Sequence, residues 1–318
     1  MLREHSRTQN KLKQDLGPLV LAALLDDAIY EVLLNPDGVL WVDGYQGKRE
    51  YGMMSAAAAK NLINTVASVA DEIITHKNPS FSGELWVEIR EEIKLFRFQA
   101  LIPPIVAYPS FAIRKRAGAV IPLEDYLKDD IITREQEIMI RELVDGRKSI
   151  LVVGGTQSGK TTFSNAILDC IAKTYPQDRV IIIEDTQELS CSVKDCLTMR
   201  TSPVKSMNDL IFDSMRMRPD RIIIGEVRGK EAYSLVKSWN TGHPGGVSTI
   251  HANSAISGLL RLEQLISEAG VIPVPEAIAE AVNALIFIQK TNTGKKGRRV
   301  TSILKLDGYD KVKGYLTR

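Results

Sequence analysis

The chain has 318 residues, 44% of them apolar and 25% charged, which is room for about two globular domains and leaves no disorder-prone bulk. Its net charge of +2 is unevenly spread: 14 basic and 14 acidic side chains lie in residues 1–116, 18 and 23 in residues 117–288, and 9 and 2 from Gln289 onward. Three cysteines, Cys170, Cys191 and Cys196, with no C-x-x-C pair, argue against a disulfide framework and a structural zinc site and fit a reducing cytoplasm.

The first fifteen residues, MLREHSRTQNKLKQD, are polar with no signal-like apolar region, and the apolar stretch at 16–25 is too short to span a bilayer. No transmembrane segment is expected, and any membrane association would be peripheral. Two β-rich runs, Tyr30-Glu31-Val32-Leu33-Leu34 and Val39-Leu40-Trp41-Val42, flank the turn Asn35-Pro36-Asp37-Gly38 and predict a hairpin, closed by a second turn at Asp43-Gly44. Residues 55–75 are alanine-rich with Leu62, Ile63, Val66, Val69 and Ile73 at helical spacing, so the pattern predicts one amphipathic helix capped by Ser55. Strands follow at 84–89 and 95–102. Residues 1–116 therefore read as a small α/β domain, and 117–132, with a proline and an acidic cluster, as a linker.

From Thr133 the pattern changes to alternation: helix 134–144, strand 149–153, helix after 160, strand 179–183, helix 206–215, strand 221–224, helix 230–239, strand 246–250. Such alternation implies a mainly parallel sheet with right-handed crossovers over residues 133–318. The basic surplus beyond Gln289 reads as a solvated, strand-bearing extension in preference to a surface for acidic lipid or nucleic acid.

Residues 154–162 read GGTQSGKTT, directly after the apolar run SILVV, and hold the G-x-x-x-x-G-K-[ST] pattern. In this phosphate-binding loop the backbone N–H groups of Gly154, Gly155, Thr156, Gln157, Ser158 and Gly159 wrap a di- or triphosphate. Lys160 reaches the β and γ phosphates, Thr161 ligates Mg²⁺, and Thr162 continues the helix whose positive end faces the phosphates. ATP with Mg²⁺ is the expected ligand.

In an open parallel sheet ligands lie at the carboxyl ends of the strands, so the residues that follow each apolar run carry the chemistry. After VIII come Glu184, Asp185 and Glu188, of which Glu184 and Asp185 are candidate metal-side acids. After RIII comes Gly225, in the slot where P-loop enzymes place an aspartate, and then Glu226, the candidate to orient or deprotonate an attacking water. His243 and His251 flank one glycine-rich strand, from which an imidazole could sense the γ phosphate. They stand at opposite ends of that strand, which disfavours a zinc pair. Phosphoryl transfer also needs cations on the developing charge, for which Arg97, Arg114, Arg116, Arg216 and Arg218 are candidates.

Taken together, GGTQSGKTT, VIIIEDTQEL, MRMRPDRIIIGEVRG and WNTGHPGGVSTIHANS resemble the Walker A, Asp box, Walker B and His box of the type II and type IV secretion ATPase superfamily. Within it, the segments around FRFQALIPPIV and EAYSLVKSWNTGHPGG are similar to conjugal-transfer TrbB-type ATPases. The resemblance covers about residues 20–290. It implies an N-terminal PAS-like α/β domain, a C-terminal RecA-like P-loop NTPase domain, a homohexameric ring with nucleotide between the domains, and a cytoplasmic motor that docks with secretion components at the inner membrane. By position it assigns Lys160 and Thr161 to nucleotide and Mg²⁺, Glu226 to catalysis, Glu184, Asp185 and Glu188 to the Asp box, His243 and His251 to the His box, and Arg97 and Arg114 to the arginines of the first domain. Gln157 stands where the family usually has glycine, and the tetracysteine zinc module of type II enzymes is absent. The alternative, a RecA-like nucleic-acid translocase, would want a basic groove and stacking aromatics. The first domain is charge-balanced and aromatics are 6% of the chain, so direct nucleic-acid binding is not expected.

Overall fold

Apolar side chains collect into separate cores on either side of Gly118. The computed structural model describes residues 2–44, 46–89, 92–115, 120–202, 204–291 and 295–318, and its contacts divide into units Met1–Gly118 and Ala119–Arg318.

The first unit opens with helix α1 (Leu2–Leu25), bent at Gly17, where φ is 68°, with Pro18 next. Leu12, Leu16, Val20 and Leu24 recur every fourth residue and are buried, so one face of α1 joins the core. Next come β1 (Ile29–Leu34), β2 (Val39–Gly44), β3 (Arg49–Met53), α2 (Ala56–Val69), β4 (Ser80–Ile89), β5 (Glu92–Leu101) and β6 (Ser110–Lys115). The strands form one antiparallel sheet in the order β3-β2-β1-β6-β5-β4. Ser55 caps α2 by accepting from the Ala58 N–H. The helix ends at Val69, six residues earlier than its apolar spacing predicts. Asp71 turns left-handed (φ 56°), the Glu72 N–H bonds back to the Ala67 carbonyl at 2.9 Å, and Ile73 is left 79% exposed.

The second unit comprises α3 (Leu123–Lys128), α4 (Arg134–Asp145), β7 (Ile150–Val153), α5 (Lys160–Thr174), β8 (Val180–Glu184), β9 (Cys196–Arg200), α6 (Met207–Met215), β10 (Arg221–Val227), α7 (Glu231–Asn240), β11 (Val247–Ile250), α8 (Ala255–Glu268), α9 (Pro275–Ala281), β12 (Ala284–Lys290), β13 (Arg298–Asp310) and β14 (Gly314–Thr317). Its sheet runs β14-β13-β12-β7-β11-β10-β8-β9. The pairs from β12 to β9 are parallel, and β13 and β14 add antiparallel at one edge. Consecutive residues of β7, β8 and β10 point into two different cores, Val152, Ile182 and Ile223 into one and Leu151, Ile181 and Ile222 into the other, as a sheet covered on both faces requires.

Residues 120–132 correct the expected linker. Leu123, Tyr126, Ile131 and Ile132 are buried in the core of the second unit, and the Ile131 carbonyl accepts from the Val300 N–H at 2.8 Å. The apolar positions of this stretch therefore serve packing. Residues 117–119 and Arg116 lie outside the described residues. Among the described residues no helix is long and apolar enough to cross a membrane.

Candidate functional site

The carboxyl ends of β7, β8, β10 and β11 bring four sequence segments together. The loop 154–159 leaves β7 and runs into α5, whose first residue is Lys160, so the unpaired N–H groups of that helix face the loop. Gly159, the residue before the helix, has φ 97°, a left-handed conformation that glycine adopts without strain. Gln157 also lies left-handed, at φ 57°. This explains why glycine is the easier residue there, and the Gln157 amide oxygen accepts from Lys290 Nζ at 3.0 Å.

Lys160 is buried, and its ammonium donates to the carbonyls of Gly154 (3.0 Å) and Gly155 (3.1 Å). It also lies 3.2 Å from His251 Nδ1, while His251 Nε2 lies 2.6 Å from Glu226 Oε1. Lys160 Nζ is also 3.3 Å from His251 Nε2, so the ammonium lies about equally far from both ring nitrogens, and the approach of Nε2 to Glu226 lacks hydrogen-bond geometry, which leaves the buried Glu226 Oε1 without a hydrogen-bond partner. Burial, then the Lys160 charge, push the His251 pKa below its ordinary value; Glu226 opposes them and Arg228 adds to them. The other oxygen of Glu226 accepts from Arg228 Nε at 2.7 Å.

Gly225 is explained by its neighbour. A Cβ there would fall 2.9 Å from Glu184 Cγ and 3.2 Å from its Oε1. The acid beside the aspartate slot is thus delivered by β8, and the β10–β11 register shifts between Ile224 and Glu226. Glu184 Oε1 accepts the N–H groups of Glu188 and Leu189, each at 2.9 Å, so this carboxylate anchors the loop that follows it. Asn165 on α5 holds the same loop from the other side, donating to the Glu188 carbonyl (3.3 Å) and accepting from the Ser190 N–H (2.9 Å). Asp185 is exposed and accepts from Thr201 Oγ1 at 3.1 Å.

Not every expected residue converges here. His243 precedes β11, at the amino end of the sheet, and its Nδ1 is buried without a partner. The four-residue strand separates it from His251, so within this chain it does not join Lys160 and Glu226. Arg97 and Arg114 belong to the first unit, where they are cross-strand neighbours in the row Glu84, Arg97, Arg114, Glu31 across β4, β5, β6 and β1. Arg216 caps α6 and Arg218 lies left-handed beyond it, ahead of β10. Asn165 was missed by sequence reasoning, and its only signal is a buried amide within an apolar helical run.

The residues fit a polyphosphate. The Ser158 hydroxyl is buried in the loop with no hydrogen-bond partner, a group that a phosphate oxygen would satisfy. They fit Mg²⁺ through Thr161, half-buried at the start of α5, more than through the acids: Glu184 is engaged with backbone, and no cluster of three metal-ligating side chains occurs among the described residues.

The family model described as "Type II/IV secretion system protein" matches residues 28–300. The chain is 44% identical over 309 residues to a probable conjugal transfer protein TrbB of Sinorhizobium fredii, covering 97% of this chain and 92% of the relative. It is 43% identical over 309 residues to the conjugal transfer protein TrbB of Rhizobium radiobacter, with coverage of 97% and 93%. The X-ray structure of the ATPase DotB from Legionella pneumophila superposes with a TM-score of 0.67 at 16% identity, covering 90% of this chain and 79% of that one, and shares the fold.

Proposed function

The chain belongs to the type II/IV secretion system protein family, and on that premise we propose that it is an ATP-hydrolysing, homohexameric motor of a conjugative type IV secretion system. The observation that carries the ATPase reading is the contact chain Lys160–His251–Glu226 beside the phosphate loop. In this reading the second unit is a RecA-like ATPase domain, supported by its parallel sheet and by the loop following β7, and the first is a PAS-like domain, supported by one antiparallel sheet packed with α1 and α2.

The chemistry follows from the side chains. The backbone N–H groups of residues 154–159 and the positive end of α5 bind the β phosphate, and Thr162 stands next along the helix toward the α phosphate. Lys160 exchanges its carbonyl partners for β and γ oxygens. Glu226 orients the attacking water, one carboxylate oxygen held by Arg228 and the other close to His251. Glu188 sits on the loop that Glu184 and Asn165 hold against α5. Arg97 and Arg114 are proposed as cations for the transferring phosphoryl group. Mg²⁺, held by Thr161 and the phosphates, would neutralise charge on the β and γ oxygens. Docking at the inner membrane with other secretion components, and a cytoplasmic location, belong to the same proposal.

The test is ATP turnover by Lys160→Ala and Glu226→Gln. Each is expected to lower kcat about 100-fold or more with Tm unchanged, since each removes a group that acts on the phosphates or the water. Near-normal turnover in either would sink the assignment.

A further inference from the structure

The β12–β13 hairpin carries two cations to the phosphate loop. Lys290 and Arg298 are directly paired in its antiparallel register. Lys290 reaches Gln157, as described above. An ideal Cβ on Gly159 would fall 2.7 Å from Arg298 Nη1 and 3.4 Å from its Cδ, so the half-buried guanidinium lies against the last glycine of the loop, at the N-terminus of α5.

That is an unfavourable place for a cation, because the helix end is itself positive. Carboxylates are near: on the same hairpin Lys295 pairs with Asp130 at 3.5 Å and Lys296 with Asp129 at 3.9 Å. Yet among the described residues neither Arg298 nor Lys290 has a carboxylate within ion-pair distance. With Lys160, three cations converge on one helix N-terminus, beside the unpartnered and buried Ser158 hydroxyl. Such a cluster is complementary to an anion.

The sheet order says which part of the anion. Glu226 and His251 come from β10 and β11, on one side of β7, whereas β12 and β13 lie on the other. If water attacks the γ phosphate beside Glu226, the α phosphate and nucleoside leave the loop on the opposite flank. An open pocket of about 180 Å³ reaches over the loop from Phe287, Gln289 and Lys290 on β12, past Thr156 and Ser158, to Asn253 just beyond β11, so space for a ligand continues onto that flank.

We propose that Arg298, with Lys290 beside it, binds the α and β phosphates of the nucleotide from within the same subunit, so that this hairpin grips ADP as firmly as ATP and governs its release. The proposal rests on the ATPase reading and assigns the nucleoside-diphosphate end of that site. A guanidinium can bridge two phosphate oxygens in a fixed fork, which an ammonium cannot.

The experiment is titration of the full chain with ADP and with a non-hydrolysable ATP analogue, for the parent, Arg298→Gln, Arg298→Lys and the exposed neighbour Arg299→Gln. Arg298→Gln is expected to weaken both ligands alike, by about 10-fold or more. Its Tm is unchanged or higher because a cation leaves a positive helix end. Arg298→Lys recovers part of the affinity and Arg299→Gln matches the parent. ADP affinity of Arg298→Gln within twofold of a binding-competent parent would overturn this proposal and leave the ATPase reading standing. So would a loss confined to the ATP analogue with a fall in kcat, which would put the guanidinium on the γ phosphate, or a lower Tm, which would make it a packing residue. A parent chain that binds neither nucleotide would remove the ATPase reading and this proposal together.

Discussion

The two ends of the parallel sheet in the second unit both bury charge, and they do it in opposite ways. At the amino end Asp178 sits between Arg147 (2.7 Å) and Arg221 (2.8 Å), both guanidinia lie over the Tyr175 ring, and Arg221 also donates to the Gly245 carbonyl. Burial would raise the Asp178 pKa, but its hydrogen bonds to the two arginines outweigh this and hold the carboxyl below its ordinary value; burial lowers that of Arg221. These charges are closed on one another. At the carboxyl end Lys160 rests on carbonyls and a neutral imidazole, and Lys290 and Arg298 face the loop without acids. A compensated buried charge holds the fold together, whereas a cluster of one sign at a helix N-terminus is arranged for something that arrives from outside.

The largest expected effect tests the closed end. Asp178→Ala would strand Arg221, whose side chain is 1% exposed, as an uncompensated buried cation, at a cost of about 3–5 kcal/mol. For a unit of this size that is a Tm fall on the order of 10 °C. Replacing Arg221 by Met in the same chain should return part of the loss, because an apolar side chain needs no counter-charge. A fall below about 1 kcal/mol in thermal denaturation would mean that water reaches and screens Arg221, and the contrast between the two ends would collapse.

A smaller effect tests the open end through pH. The folded pKa of His251 lies below that of the unfolded chain, so the unfolded state binds more protons in the window between them. The stability associated with neutral His251 is therefore fully present above about pH 6.5 and is lost as pH falls through the depressed folded value. Lys160, Glu226 and Arg228 are the charged groups that face the ring, and its side chain is 44% exposed, so solvent screens much of the effect. His251→Gln keeps polar atoms beside Glu226 and Lys160 without a titrating proton. Its Tm should drop less than the parent's between pH 6.5 and 5.5, by at most about 3 °C. Parallel Tm curves for the two proteins would show that the ring does not titrate against Lys160.

The carboxyl end of the sheet was largely legible in the sequence, for local reasons, whereas the ion cluster at the amino end was not. The run SILVV before GGTQSGKTT places the loop at the end of a buried strand whatever the rest of the chain does, and the apolar runs before Glu184 and Glu226 mark two more carboxyl ends. What stayed hidden depends on register between distant segments. Gly225 reads as a missing acid until Glu184 is seen to fill its space from the adjacent strand. Lys160 and His251 are 91 residues apart, and only the parallel pairing of β7 and β11 makes them neighbours. Strand β9 escaped notice because it is an edge strand with half-exposed side chains, and α3 because a proline and acids beside it resemble a linker while its apolar residues pack inward.

Gln157 gives the smallest expected effect, and its sign is set by three terms of similar size. A residue with a Cβ held left-handed costs about 1–2 kcal/mol, which Gln157→Gly would relieve. Against that, glycine adds freedom to the unfolded chain worth about 0.4–1 kcal/mol, and the exposed bond to Lys290 contributes about 0–1 kcal/mol. The net change lies near zero, so Gln157→Gly should melt within about 3 °C of the parent. Gln157→Val should melt lower, since a β-branched side chain is worse at positive φ and cannot bond Lys290. A substantial loss in the glycine variant would mean that the glutamine, by tethering the Lys290 side of the hairpin, stabilises the loop in its phosphate-ready shape by more than its left-handed strain costs.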